Sequence, residues 1–344
     1  MTPLNVPAYT YRAMIGTGGI GAGMFFALRG NHTLGREESR LGRFLDRHDY
    51  CKLHIIAHYV QTLLGPQFTT IPLGKVGEDD IGRRLWAEMA EVGMDMRHVA
   101  RVPDAQTMFA FCYAYPDGDG GNLTTDDSAS VQVDPAYIRA AADEFARFAG
   151  CGVALAAPEV PMAARKALLE LATAHRLLRV ASFNSEEMPL ALDEGYLALV
   201  DLLAINIDEA SRVAGIALEG QPADAVARAA VERLRQIAPQ MMVAITAGKQ
   251  GSWGWDGETL TRVAPCTVVP VSAAGAGDAY LSGLIAGLVA GLPLADAQQL
   301  GGLVAGLSVT SPHTIDKTIQ RETLRNFAQT AGAPLAATVR ALLD

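Results

Sequence analysis

The chain is poor in cysteine, in basic charge and in uninterrupted apolar sequence, and each shortage removes a class of function. Its four cysteines, Cys51, Cys112, Cys151 and Cys266, stand apart, with no C-x-x-C pair and no Cys/His metal spacing. That usage fits a reduced, cytoplasmic protein rather than a disulfide scaffold or zinc module. Lys and Arg number 28 against 37 Asp and Glu, a net charge of -9, so a nucleic-acid backbone is not an expected partner. The longest apolar stretch, residues 280–294, is too short for a bilayer span and dense in Gly. The first residues, MTPLNVPAYTYRAMIG, lack the basic segment and apolar run of a signal peptide, so no membrane role is expected. No low-complexity tract, solenoid-length repeat or linker divides the 344 residues. With half of them hydrophobic, a single large α/β domain over 1–344 is expected.

What is present centres on residues 268–292, VVPVSAAGAGDAYLSGLIAGLVAGL. The pattern predicts a buried strand, a turn at Gly275-Ala276-Gly277, and a long apolar helix with Asp278 in its first turn. Such small residues let the first backbone N–H groups of a helix face an anion, and the helix dipole adds positive potential. A carboxylate in that turn is either a dipole-favoured residue or a base beside a phosphate. Gly283, Gly287 and Gly291 recur every fourth residue and thin one face of the helix for close packing.

The string GAGDAYLSGL resembles the second signature of the ribokinase-like (PfkB) carbohydrate kinases. The resemblance implies a ribokinase-like three-layer α/β/α domain with a mostly parallel sheet and a small β lid. It also implies ATP as co-substrate with Mg2+, and Asp278 as the base that takes a proton from an acceptor hydroxyl. Gly275, Ala276 and Gly277 become the anion hole. Ser272 and Ala273 replace the family's Asp-Thr, a change that bears on nucleotide contacts and on the monovalent cation of such kinases. Dimerisation through the lid is a further implication.

Two motifs precede this signature at predicted strand ends, where open α/β sheets bind ligands. Asn206-Ile207-Asp208-Glu209 is similar to the family's N-x-x-E, which implies nucleotide contacts from Asn206 and Glu209, with Glu209 reaching the metal through water. Read from the residues alone, the same four are an N-cap Asn with a first-turn Glu. Thr246-Ala247-Gly248-Lys249-Gln250-Gly251 is similar to the family's T-x-G-x-x-G, giving Thr246, Gly248 and Gly251 a nucleotide role; alone it is also a plain hairpin. Between residues 151 and 246, apolar runs alternate with helical patterns, as in βαβ units on a parallel sheet.

The N-terminal part carries the acceptor side in this family, and here the chain departs from the pattern. Gly16–Gly21, GTGGIG, also matches the dinucleotide fingerprint, which keeps an NAD-dependent oxidoreductase as a rival reading. In the kinase reading Gly21 stands where the family has its hydroxyl-binding Asp, and Ile56 where it has an Asn. Lid segments are expected at about 24–48 and 104–130. The acceptor-side candidates are Gly21, Asn31, Lys52, His54, Asn122 and Asp126, the last two in the polar run GNLTTDDSAS. Residues 29–58 concentrate Arg, Lys and His, and read as a solvated helix face or as cations meeting an anionic acceptor. The expected function is ATP-dependent phosphoryl transfer to a hydroxyl of a sugar, nucleoside or sugar phosphate. A nucleotide- or metabolite-binding protein without catalysis is the second reading.

Overall fold

The computed structural model of the protein describes residues 2–117 and 120–344, and the side chains of all of these but 46 and 47. The run PDGDGG, a turn by its Pro, Gly and Asp content, lies partly outside the described residues. In chain order the first strands are β1 (Ala13–Thr17), β2 (Gly21–Leu28), β3 (Gly42–Tyr50), β4 (Thr69–Gly77), β5 (Val99–Val102) and β6 (Met108–Ala114). They are followed by β7 (Gly120–Thr124), β8 (Gly152–Ala156), β9 (Leu178–Ala181), β10 (Leu202–Asn206), β11 (Met242–Thr246), β12 (Ser252–Trp255) and β13 (Leu260–Val263).

Among the described residues, nine strands form one sheet in the order β13-β12-β11-β10-β9-β8-β1-β4-β5. All pair in parallel except β12, which is antiparallel to both β11 and β13. Strands such as β1 and β8 are buried along their whole length, as a sheet covered on both faces requires. One layer holds helices Lys52–Leu64, Ala276–Val289 and Leu294–Ser308; the other holds Met162–Ala174 and Ala223–Ile237. This is the three-layer α/β/α arrangement that the resemblance implied, with the parallel pairing that the alternating pattern predicted. The Ala276–Val289 and Leu294–Ser308 helices touch backbone to backbone: a Cβ on Gly283 would lie 2.8 Å from the Gly301 Cα. Gly283 and Gly287 have that cause, whereas Gly291 lies beyond the helix and turns at φ of 79°.

Two expectations fail here. GTGGIG opens not onto a helix but onto β2, so the strand–turn–helix of the dinucleotide fingerprint is not formed and that reading falls. Nor is VVPV a buried strand: residues 264–275 run irregularly and Val269 is 88% exposed. Pro270 brings no N–H to a ladder, and the Val271 and Ser272 N–H groups instead donate to the Val309 carbonyl at 2.7 and 3.2 Å. The basic segment is helical only from Lys52: residues 29–41 are loop and Gly42–Tyr50 is β3.

The second sheet has the order β3-β2-β6-β7 and stands over the C-terminal ends of β1 and β4. Its register sorts side chains onto two faces. Phe25, Asp49, Cys112 and Asn122 point inward to a cavity, whereas Met24, Phe44 and Leu123 are 41%, 58% and 61% exposed on the other face. The base of β3 is pinned by a C-terminal segment. The His48 N–H donates to His313 Nδ1 at 2.9 Å, the Thr314 N–H to the His48 carbonyl at 3.1 Å, and the Tyr50 N–H to Thr314 Oγ1 at 2.9 Å. Thr314 also lies against Gly275, where an added Cβ would stand 3.0 Å from its own Cβ.

Candidate active site

Two helix N-termini converge beneath the small sheet. Lys52 begins the Lys52–Leu64 helix and Asp278 occupies the first turn of Ala276–Val289; Lys52 Nζ lies 3.9 Å from Asp278 Oδ2. The Asp278 side chain is 15% exposed. Burial raises its pKa above the usual carboxylate range, and the Lys52 ammonium opposes the shift. Lys52 is correspondingly held charged, chiefly by Asp278 and then by Glu159 and Glu209.

Glu159 follows β8, and its Oε2 accepts the Lys52 backbone N–H at 2.9 Å, satisfying one orphan donor of that helix. It adopts φ of 78°, a left-handed conformation that costs a non-glycine residue about 1–3 kcal/mol. Gly19 makes room for it, since a Cβ there would come within 2.6 Å of the Glu159 Cβ. Burial pushes the Glu159 carboxyl up to about 7 against the pull of Lys52.

Gly275 turns at φ of 77°, which frees the start of the helix behind it. The Ala276 N–H bends back to the Ala273 carbonyl at 3.3 Å, a long bond, while those of Gly277 and Asp278 have no partner among the described residues. Above Gly277 a Cβ would meet nothing within 4 Å. Open space and free donors therefore coincide beside the Asp278 carboxylate.

Three cavities meet at this turn. One of about 670 Å³ lies under the small sheet, lined by Asp49, Lys52, Asn122, Glu159, Gly275 and Asp278 among others. Another of about 410 Å³ is mainly apolar and includes Thr246, Gly248, Gly251, Pro265, Ala276 and Gly277. Between them a slot of about 80 Å³ is bounded by Lys52, Asn206, Glu209, Thr246, Gly277 and Asp278. Asn206 and Glu209 form a complete capping box: the Glu209 N–H donates to Asn206 Oδ1 at 2.9 Å and the Asn206 N–H to Glu209 Oε2 at 2.8 Å. The cap reading of that motif is thus formed, and the cap borders the slot. Burial raises the Glu209 carboxyl to about 7, with Lys52 again opposing.

Of the acceptor-side candidates, Lys52 and Asn122 line the large cavity. His54 does not: it is 1% exposed in the core of its helix and packs edge-on to Tyr50. Asn31 is exposed in the loop after β2, where its Oδ1 accepts the Asp117 N–H at 3.2 Å, and Asp126 is exposed in the loop after β7. Gly21 has no room for any side chain, since a Cβ would lie 2.6 Å from Cys51 Sγ and from the Met108 carbonyl oxygen. The backbone there is packed too closely for an Asp or any other side chain. The cavity's carboxylates come instead from Asp49 and Glu159, which sequence reasoning passed over. Glu159 follows a strand end and could have been found by that rule; Asp49 gave no signal in a segment read as helical.

Comparison with known proteins supports the fold. Over 237 residues the chain is 27% identical to a fructoselysine 6-kinase of Shigella flexneri, covering 68% of this chain and 80% of that protein. In fold it is similar to a ribokinase of Cryptococcus neoformans in complex with ADP, with a TM-score of 0.73 at 17% identity over 92% of this chain and 99% of the other. It is equally similar to a nucleoside kinase of Burkholderia thailandensis in complex with inosine, with a TM-score of 0.73 at 17% identity over 94% and 100%. The family model for pfkB family carbohydrate kinases matches residues 56–321, about three quarters of the sequence, and the chain belongs to that family.

Proposed function

We propose that the protein transfers the γ-phosphoryl group of ATP to a hydroxyl of a small sugar or sugar-like acceptor, with Asp278 as general base. The observation that carries this is the position of Asp278: a mostly buried carboxylate, charge-paired with Lys52, that lines both the large cavity under the small sheet and the slot leading from it toward the apolar cavity. The acceptor hydroxyl binds under the small sheet and loses its proton to Asp278. The bond from that oxygen to the γ-phosphorus forms as the bond to the bridging β,γ-oxygen breaks, and ADP leaves. The Gly277 and Asp278 N–H groups and the Lys52 ammonium face the charge on the transferring group.

Magnesium supplies charge neutralisation on the phosphates in such reactions. No group of three or more His, Cys, Asp or Glu gathers to cage a metal among the described residues. The oxygen donors at the slot, Glu209 and Asp278, suit a magnesium ion that travels with the nucleotide and keeps its waters. Glu209, its carboxyl raised by burial, is the residue we assign to it through water.

The test is ADP release from magnesium-ATP across neutral sugars, amino sugars, sugar phosphates, polyols and nucleosides. Acceptor-dependent release with a matching phosphorylated product is expected. Silence over the whole panel, with ATP still bound, overturns the kinase reading in favour of a non-catalytic binder.

The exposed Met24, Phe44 and Leu123 face of the small sheet, with the Phe26, Phe44 and Phe111 rings packed edge-on or tilted at 5.1–6.5 Å, supports pairing of two chains through their lids. Sedimentation at micromolar concentration is expected to show a dimer, which Phe44→Glu dissociates. A wild-type monomer overturns the assignment.

A further inference from the structure

Arg165, on the Met162–Ala174 helix, is fully buried, which for a guanidinium is costly unless it is paired. Its Nη1 lies 2.9 Å from Glu187 Oε1, its Nη2 donates to the Ser182 carbonyl, and its guanidinium rests over the Phe183 ring at 4.6 Å from the centroid. All three contacts fall on one stretch, residues 182–187, which leaves the C-terminal end of β9 and enters the Met188–Asp193 helix. Strand ends of this kind carry the ligand sites of open α/β sheets. A buried ion pair adds little net stability over apolar packing. What these contacts do is hold the stretch to one course.

Glu187 passes that constraint on. Its other oxygen, Oε2, accepts the Asn184 N–H at 3.0 Å, while Asn184 Oδ1 accepts the Glu186 and Glu187 N–H groups at 3.0 and 2.9 Å. The Asn184 carboxamide is thus held by its oxygen, and its Nδ2 has no partner among the described residues. Asn184 borders the slot of about 80 Å³ that Lys52, Glu209, Gly277 and Asp278 also border. It lines neither the large cavity nor the apolar one. In a transfer between those two cavities, the γ-phosphoryl group is the part of the reactants that occupies the slot.

We infer that Asn184 Nδ2 donates to a non-bridging oxygen of the γ-phosphate, and that the buried Arg165–Glu187 pair is the device that positions it. The inference rests on the kinase reading above and adds a donor to the groups named there.

The test titrates a non-hydrolysable ATP analogue and ADP, each with magnesium, into the wild type and variants by calorimetry. Asn184→Asp keeps an oxygen for the turn and puts a carboxylate oxygen, which a phosphate repels, in place of the donor. It is expected to weaken the analogue by about tenfold or more, the scale of a hydrogen bond to a charged group, and to leave ADP, which lacks the γ-phosphate, within about twofold. Equal losses for both ligands would mean a general change in the site and overturn the inference, as would no loss for either. Asn184→Ala removes cap and donor together and is expected to show the same selective loss. Wild-type affinity for the analogue in the Asp variant but not in the Ala variant would assign Asn184 to the turn alone. Arg165→Met/Glu187→Gln removes both buried charges at once and keeps an acceptor for the Asn184 N–H. It is expected to narrow the margin between analogue and ADP, and an unchanged margin removes the positioning role. A wild type that binds neither nucleotide defeats the kinase reading instead.

Discussion

Asp278→Asn is expected to lower kcat by about 10³-fold, within the range by which a positioned general base accelerates proton transfer. Nucleotide affinity is expected to stay within a few-fold of wild type, because the apolar cavity and the Gly277 N–H group are left in place. The substitution separates three ideas about this carboxylate. If Asp278 is only a residue favoured by the helix dipole, the neutral amide costs a fraction of a kcal/mol in stability and little in rate. If Glu159, which also lines the cavity and also has a raised pKa, is the base, turnover survives. Only when Asp278 takes the proton do binding and turnover part company so widely. The measurement is steady-state kcat with an acceptor found in the panel, alongside nucleotide binding by titration. A kcat within tenfold of wild type sinks the assignment.

The same stretch shows what the sequence could and could not disclose. The helix from Ala276, its glycine spacing, the Asn206–Glu209 cap and the alternation of strands and helices are local patterns. Each depends on residues within one or two turns, so each was legible. The irregular course of residues 264–275 was not, because an apolar run becomes a strand only beside a free sheet edge, and Pro270 weakens its claim to one. The acceptor side depended on distance in sequence. Asp49 meets the cavity because β3 pairs with β2 across a long loop, and Glu159 meets Lys52 from 107 residues away. Composition located a basic segment at 29–58 but could not say that its loop cations turn to Glu38. Nor could it say that Asp49 and Glu159 line the cavity.

Lys52→Met is expected to cost between about tenfold and a hundredfold in kcat/KM and to move the acid limb of the pH–rate profile to higher pH. The Asp278 carboxyl is raised by burial and held down by Lys52, and a base works only when deprotonated. Without the ammonium the raising influence stands unopposed, so the limb, which follows that pKa, shifts upward. At 3.9 Å the attraction would be large in a dry interior, but Lys52 is 36% exposed and water screens it, hence the modest fold-change. Lys52 also opposes charge on the transferring group, so part of the loss persists at high pH where Asp278 is ionised in both proteins. Stability carries an independent sign. A carboxylate whose folded pKa lies above its unfolded one subtracts stability above that folded pKa and nothing below the unfolded value. The variant's deficit in unfolding free energy is therefore expected to be greatest at neutral pH and to fade as acid protonates Asp278. Superimposable acid limbs in wild type and variant would show that the Lys52–Asp278 pair does not set the base's charge state.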